Sequence, residues 1–210
     1  MALLHKADLR PTKLELLESW LPSRGWAAGA SAVERVAAFR FDDPDDEVGI
    51  ETMLVRADGG PVLHVPLTYR AAPLAGGDAY LIGTTDHSVL GPRWVYDACG
   101  DPVYAGVLAH TILTGGREAD EFVDDNGRLV PRAPMASALG SGSPASADGV
   151  RAAGAIVEVT DGDPTIVVAD TVELRIARSL GTELAGSGDT LSATWNGQST
   201  PVVLARARPL

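Results

Sequence analysis

The chain has 210 residues, 45% hydrophobic but only 5% aromatic, with 23 Gly and 14 Pro. That length buries an adequate core without disulfide or metal staples, and many turn formers between short apolar runs favour strands over long helices. A formal charge of −11 argues against nucleic acid and against anionic membranes as partners, because both are bound through clustered Lys and Arg.

Thr12-Lys13-Leu14-Glu15 has the form of a capping box, and Leu14, Leu17, Trp20 and Leu21 share a helical face until Pro22. A short amphipathic helix is predicted there. Runs at 33–41, 48–56 and 62–69, separated by an Asp/Pro-rich turn and by Asp58-Gly59-Gly60, predict an antiparallel meander. Segments 80–84 and 93–96 extend the same sheet. Asp101 reads as an N-cap with Pro102 at the first helical position; Tyr104, Val107, Leu108, Thr111 and Ile112 recur at helical spacing before Gly115-Gly116. A small hairpin is predicted around Asn126-Gly127. Residues 131–149 collapse to Pro, Ala, Ser and Gly and read as a flexible linker or long loop. Further strands are predicted at 155–160, 165–169, 172–178, 191–195 and 202–206, with turns at Asp161-Gly162 and Asn196-Gly197. The expected organisation is an α+β part over 1–130, the linker over 131–149 and a small all-β region over 150–210.

Cys99 is the only cysteine, which rules out an intramolecular disulfide and a cysteine-based zinc site and fits a reducing cytoplasm. Residues 1–10 lack the apolar run of a signal peptide, and nowhere do about 18 apolar residues run together to span a bilayer. The histidines His5, His64, His87 and His110 form no i,i+4 pair. The acidic runs at 42–47 and 118–125 lack the spacing and central Gly of a calcium loop and read as solvated turns. No P-loop string occurs, so neither metal nor cofactor is expected. Cys99, His87 and Asp97 lie close enough in sequence to be weighed as nucleophile, base and orienter of a small hydrolase or transferase. The aromatics Trp20, Trp26, Tyr69, Tyr80, Trp94, Tyr96 and Tyr104 supply either a small core or a sugar-stacking surface.

Trp20-Leu21-Pro22-Ser23-Arg24-Gly25-Trp26, Val65-Pro66-Leu67-Thr68-Tyr69, Leu81-Ile82-Gly83 and Tyr96-Asp97-Ala98 followed by Asp101-Pro102 occur in an order that resembles the N-terminal cap domain of actinobacterial maltokinases. The resemblance runs from about Lys13 to Thr114. It implies a curved antiparallel sheet with two short helices, set before a kinase fold that phosphorylates maltose with ATP on the route from trehalose to glycogen. Stretches 165–168 and 172–178 look like the first strands of the kinase N-lobe. The position matching the family's phosphate-binding lysine there holds Arg175, whose fork replaces a compact ammonium. The 210 residues hold no match to the catalytic-loop Asp and Asn or to the magnesium-binding Asp that phosphoryl transfer needs. The expectation is therefore a cytoplasmic, non-catalytic cap-like accessory protein that binds an α-glucan-pathway enzyme or a sugar ligand. Trp26, Tyr69, Arg70, Trp94 and Tyr96 flank the motif positions and are the contact candidates. A self-associating structural protein, using open sheet edges, is a third reading.

Overall fold

The computed structural model describes residues 2–4, 7–27, 29–125, 128–145 and 153–210. His5 and the Asn126-Gly127 turn lie outside the described residues. Two short strands, β1 (Ala2–Leu4) and β2 (Leu9–Arg10), precede helix α1 (Lys13–Trp20). The capping box forms as the spacing requires: Glu15 N–H donates to the Thr12 hydroxyl at 3.3 Å, and Thr12 N–H donates to the Glu15 carboxylate at 2.7 Å. Strands β3 (Val33–Phe41), β4 (Gly49–Ala57) and β5 (Val62–Arg70) form the predicted meander, and β6 (Leu81–His87) and β7 (Gly91–Asp97) join it. The order is β2-β6-β7-β5-β4-β3, all antiparallel, and the sheet curls into a half-barrel.

Helix α2 (Pro102–Thr114) starts at Asp101, whose side chain accepts from Val103 N–H, and ends at Gly115 in the left-handed region. The hairpin β8 (Glu121–Asp125) and β9 (Arg128–Arg132) comes next, with β1 parallel to β8. The remaining strands are β10 (Ala136–Gly140), β11 (Ile156–Thr160), β12 (Thr165–Ala169), β13 (Val172–Ile176), β14 (Asp189–Trp195) and β15 (Gln198–Pro209). They form a second antiparallel sheet in the order β10-β14-β15-β13-β12-β11.

Strand β10 corrects the expected flexible linker. Small residues in this stretch serve close packing, because a Cβ on Gly140 would fall 2.1 Å from the Thr111 carbonyl oxygen and one on Gly142 would fall 2.1 Å from that of Leu113. The backbone is anchored as well: Gly142 N–H donates to Ile112 O at 2.9 Å, and Ser141 N–H to Thr190 O at 2.8 Å. Residues 146–149 of that stretch lie outside the described residues. Elsewhere β1 and β2 are not among the predicted strands, and the other strands differ in length, the most in β15, which runs well beyond the predicted 202–206.

Period-2 alternation gives the first sheet two apolar faces. On one, Met53 and Val55 of β4, Val65 and Leu67 of β5 and Val33 of β3 lie under Leu16, Leu17 and Trp20 of α1. On the other, Phe39, Phe41, Ile50 and Leu54 share a core with Tyr104, Leu108 and Ile112 of α2 and with Val167, Leu174, Ile176 and Leu204 of the second sheet. One continuous core therefore joins the two sheets. Among the described residues, no helix is long and apolar enough to cross a membrane.

Candidate functional site

On the α1 side of the first sheet, a cavity of about 650 Å³ opens between the start of α1, the 42–48 loop and the β8–β9 hairpin. Its floor is a charged cluster. Glu51 is a carboxylate inserted into the apolar run of β4, with Arg40 directly opposite it on β3 and Leu67 on β5. Its Oε2 accepts from the Lys13 ammonium, from Arg40 Nη2 at 3.3 Å and from the Tyr69 hydroxyl at 2.9 Å. Burial alone would raise the Glu51 pKa; the Lys13 and Arg40 charges outweigh it and hold the carboxyl down at about 2.

The Lys13 pKa is lowered as well, chiefly by burial. Arg40 and Arg35 act in the same direction, against the attraction of Glu51. Lys13 also sits 5.2 Å from the centre of the Tyr69 ring, a cation–π contact. Glu121, at the edge of the cavity, is pushed up by burial, with Arg132 opposing at 3.9 Å. The acidic 42–47 run is a structured turn: Asp43 accepts from the N–H groups of Asp45, Glu47 and Val48 at 3.1, 3.0 and 2.8 Å.

A second constellation lies at the seam between the sheets. Arg178 is fully buried, donates from Nη2 to Asp97 Oδ2 at 2.6 Å and from Nε to Thr165 Oγ1 at 2.7 Å, and stacks 4.7 Å from the Trp26 ring centre. Trp26 in turn donates its indole N–H to Asp161 at 2.9 Å. His64 N–H donates to Arg178 O at 2.7 Å, Leu180 N–H donates to Val62 O at 2.8 Å, and the His64 ring donates from Nδ1 to Ala177 O at 2.8 Å. Since a carbonyl only accepts, Nδ1 carries the imidazole proton. Burial holds the His64 pKa down to about 4, so the ring is neutral.

The five contact candidates separate. Tyr69 is in the cavity floor, and Trp26 is in the seam. Arg70 makes a two-pronged pair with Asp101 at 2.7 Å for each contact, steadying the α2 N-cap. Trp94 is its cross-strand neighbour, half-buried. Tyr96 is buried and accepts from Leu74 N–H at 2.9 Å. Arg175 lies on β13 with its guanidinium engaged by Glu173 at 2.9 Å and the Ala185 carbonyl at 3.2 Å. Lys13, Arg40 and Glu51 escaped the sequence reading, although a glutamate within Ile50-Glu51-Thr52-Met53-Leu54-Val55 was a usable signal: a charge where β4 points at the core.

The Cys99, His87 and Asp97 triad does not assemble. In the β6–β7 hairpin Leu81 is opposite Tyr96 and His87 opposite Gly91, so His87 is a strand length, about 20 Å, from the Asp97 end. His87 Nδ1 instead accepts from Val89 and Leu90 N–H at 3.2 and 3.1 Å. Cys99 is buried, and burial pushes its thiol well above the ordinary value, which keeps it protonated and a poor nucleophile.

Fold and geometry thus define a module in which a curled antiparallel sheet carries a helix on each face, with a charged cavity on one side and a second sheet sealed onto the other. Residues 20–101 match the family model of the maltokinase N-terminal cap domain, from the end of α1 through the N-cap of α2. The resemblance drawn from the ordered motifs is supported over that stretch. No curated protein matches the chain.

Proposed function

We propose that this chain is a non-catalytic, cytoplasmic cap-like accessory module of α-glucan, trehalose or maltose metabolism, acting by binding a pathway ligand or a partner enzyme. The observation supporting this reading most directly is the cap match combined with the state of the strands C-terminal to it. The β-region after the cap packs onto the cap's α2 side, and Arg175, at the position that resembles the family's phosphate-binding lysine, has its fork already occupied by Glu173 and Ala185. An arginine committed in this way presents no free compact ammonium to a nucleotide. The open charged cavity on the α1 side leaves a place for a small polar ligand.

A thermal-shift panel with maltose, maltose 1-phosphate, glucose, trehalose, a short α-glucan and ATP with magnesium tests this. A ligand at about 100 times its Kd adds about 2.7 kcal/mol, which is several degrees for a chain of this size. The expected result is a shift with at least one sugar or sugar phosphate and none with ATP and magnesium. No shift with any of them moves the reading to the partner-enzyme form. A shift with ATP and magnesium that grows when maltose is added contradicts it.

A further inference from the structure

Helix α2 is apolar all round: Pro102–Thr114 contains no Asp, Glu, Lys or Arg. Such a helix is ordinarily covered on every side. Tyr104, Leu108 and Ile112 do face the shared core, but Val103, Gly106, Val107 and His110, at i, i+3, i+4 and i+7, line a groove of about 880 Å³ between α2, the 42–45 loop and residues 116–120. Val103, Gly106 and Val107 are half-buried, and His110 is exposed. The lining runs from Pro102 to Gly116, so the groove follows the whole helix, about 20 Å at 1.5 Å per residue.

Gly106 makes the floor hollow. Glycine weakens a helix interior relative to alanine, and a Cβ there would meet nothing within 4 Å beyond the helix's own backbone. No packing among the described residues uses the missing side chain, whereas an occupant of the groove does. Around this apolar floor stand five carboxylates, Asp42, Asp43, Asp45, Glu118 and Asp120, against one guanidinium, Arg117, and the His110 imidazole. Arg117 is shared between Asp120 at 2.8 Å and Glu118 at 3.9 Å. Asp43 and Glu118 also accept from backbone N–H groups, Glu118 from that of Ala138 at 2.8 Å, and neutral amides leave the charge in place. The rim is therefore acidic, so it repels phosphates and a second copy of the same groove and attracts Lys and Arg. The valine methyl groups offer sugar hydroxyls no hydrogen-bond partner.

We propose that this groove docks an extended segment of a partner protein, about six residues long, with Leu, Ile, Met or Phe seated over Gly106 and Lys or Arg against Asp42, Asp45 and Asp120. This rests on the partner-enzyme form of the reading above and names the surface that form uses. Apolar contact at the floor supplies the affinity; the rim, screened by salt, sets orientation and the rate of encounter.

Selection of a random peptide library on the full chain, followed by titration of the enriched peptides, tests it. Enriched peptides are expected to combine large apolar side chains with Lys or Arg. Gly106→Leu fills the floor and weakens them at least tenfold. Its unliganded Tm is unchanged or higher, because the added side chain starts in open space and leucine favours the helix. Asp42→Asn combined with Asp45→Asn weakens them at least threefold at low salt, and the difference shrinks as salt is added. Failure to enrich, enrichment of acidic or uncharged peptides, or equal binding by Gly106→Leu overturns the inference. So does a dimer of the parent that Gly106→Leu dissociates, which makes a second copy the occupant. A sugar response in the thermal-shift panel with no enriched peptide overturns the groove and leaves the proposed function standing. Peptide binding through the groove, without response to any α-glucan sugar or purified α-glucan-pathway enzyme, does the reverse.

Discussion

Asp97→Ala lowers the unfolding free energy by about 3–5 kcal/mol, the cost of stranding a buried charge. Arg178 is inaccessible to solvent and Asp97 is 5% exposed, so water cannot replace the lost carboxylate without opening the seam. One guanidinium nitrogen, Nη1, already lacks a partner, which leaves the remaining contacts little slack. Asp97 also accepts from Cys99 N–H at 3.2 Å, so the turn leading into α2 loosens too. A second variant separates charge burial from general damage: Asp97→Leu combined with Arg178→Met removes both charges and recovers much of the loss, as buried pairs replaced by apolar residues generally do. Guanidinium denaturation with an unchanged m-value is the measurement. A single Asp97→Ala variant within about 1 kcal/mol of the parent contradicts the assignment of this pair as the clamp between the sheets.

Acid is expected to unfold the protein in two stages. His64 has an ordinary pKa of 6.5 and a folded pKa of about 4. Between these values the unfolded chain binds the proton and the folded chain does not, so stability is complete above 6.5 and falls as pH drops toward 4, by about 3 kcal/mol. Glu51 has an ordinary pKa of 4.5 and a folded value of about 2. Its contribution, also about 3 kcal/mol, is complete above 4.5 and is lost as pH falls toward 2. Glu121, raised by burial, acts in the opposite sense and softens the descent. Tm measured from pH 7 to pH 2 should therefore show a shallower upper limb in His64→Gln and a shallower lower limb in Glu51→Gln. A lower limb in Glu51→Gln that parallels the parent would show that the Lys13–Arg40–Glu51 cluster does not hold the carboxylate in its charged form.

What the sequence made legible was local. The capping box at Thr12 and Glu15, Asp101-Pro102 before α2 and Gly115 after it are signals spanning a few residues, and the alternation in β3 to β5 marks strands wherever they pair. Two kinds of information were out of reach. Asp97 and Arg178 are 81 positions apart, so no spacing rule joins them, and only the folded second sheet makes them a pair. The Gly140 and Gly142 stretch carried the composition of a linker because close backbone packing and flexibility select the same small residues. Trp26 and Tyr96 were singled out as contacts by their place beside the motifs, and their positions show the competing use of aromatics: one stitches the seam, the other fills the core. The cavity floor was hidden because Lys13, Arg40 and Glu51 meet from a helix and two strands, and only Glu51 stands out in its own segment.

The most direct test of the central claim is a phosphotransfer assay on the purified 210-residue chain with ATP, magnesium and either maltose or glucose, following sugar phosphate formation. No product above the protein-free control is expected on the proposed reading, in which the position resembling the family lysine is Arg175, paired with Glu173 and the Ala185 carbonyl. Steady formation of maltose 1-phosphate at enzymatic rates would contradict a non-catalytic cap-like module.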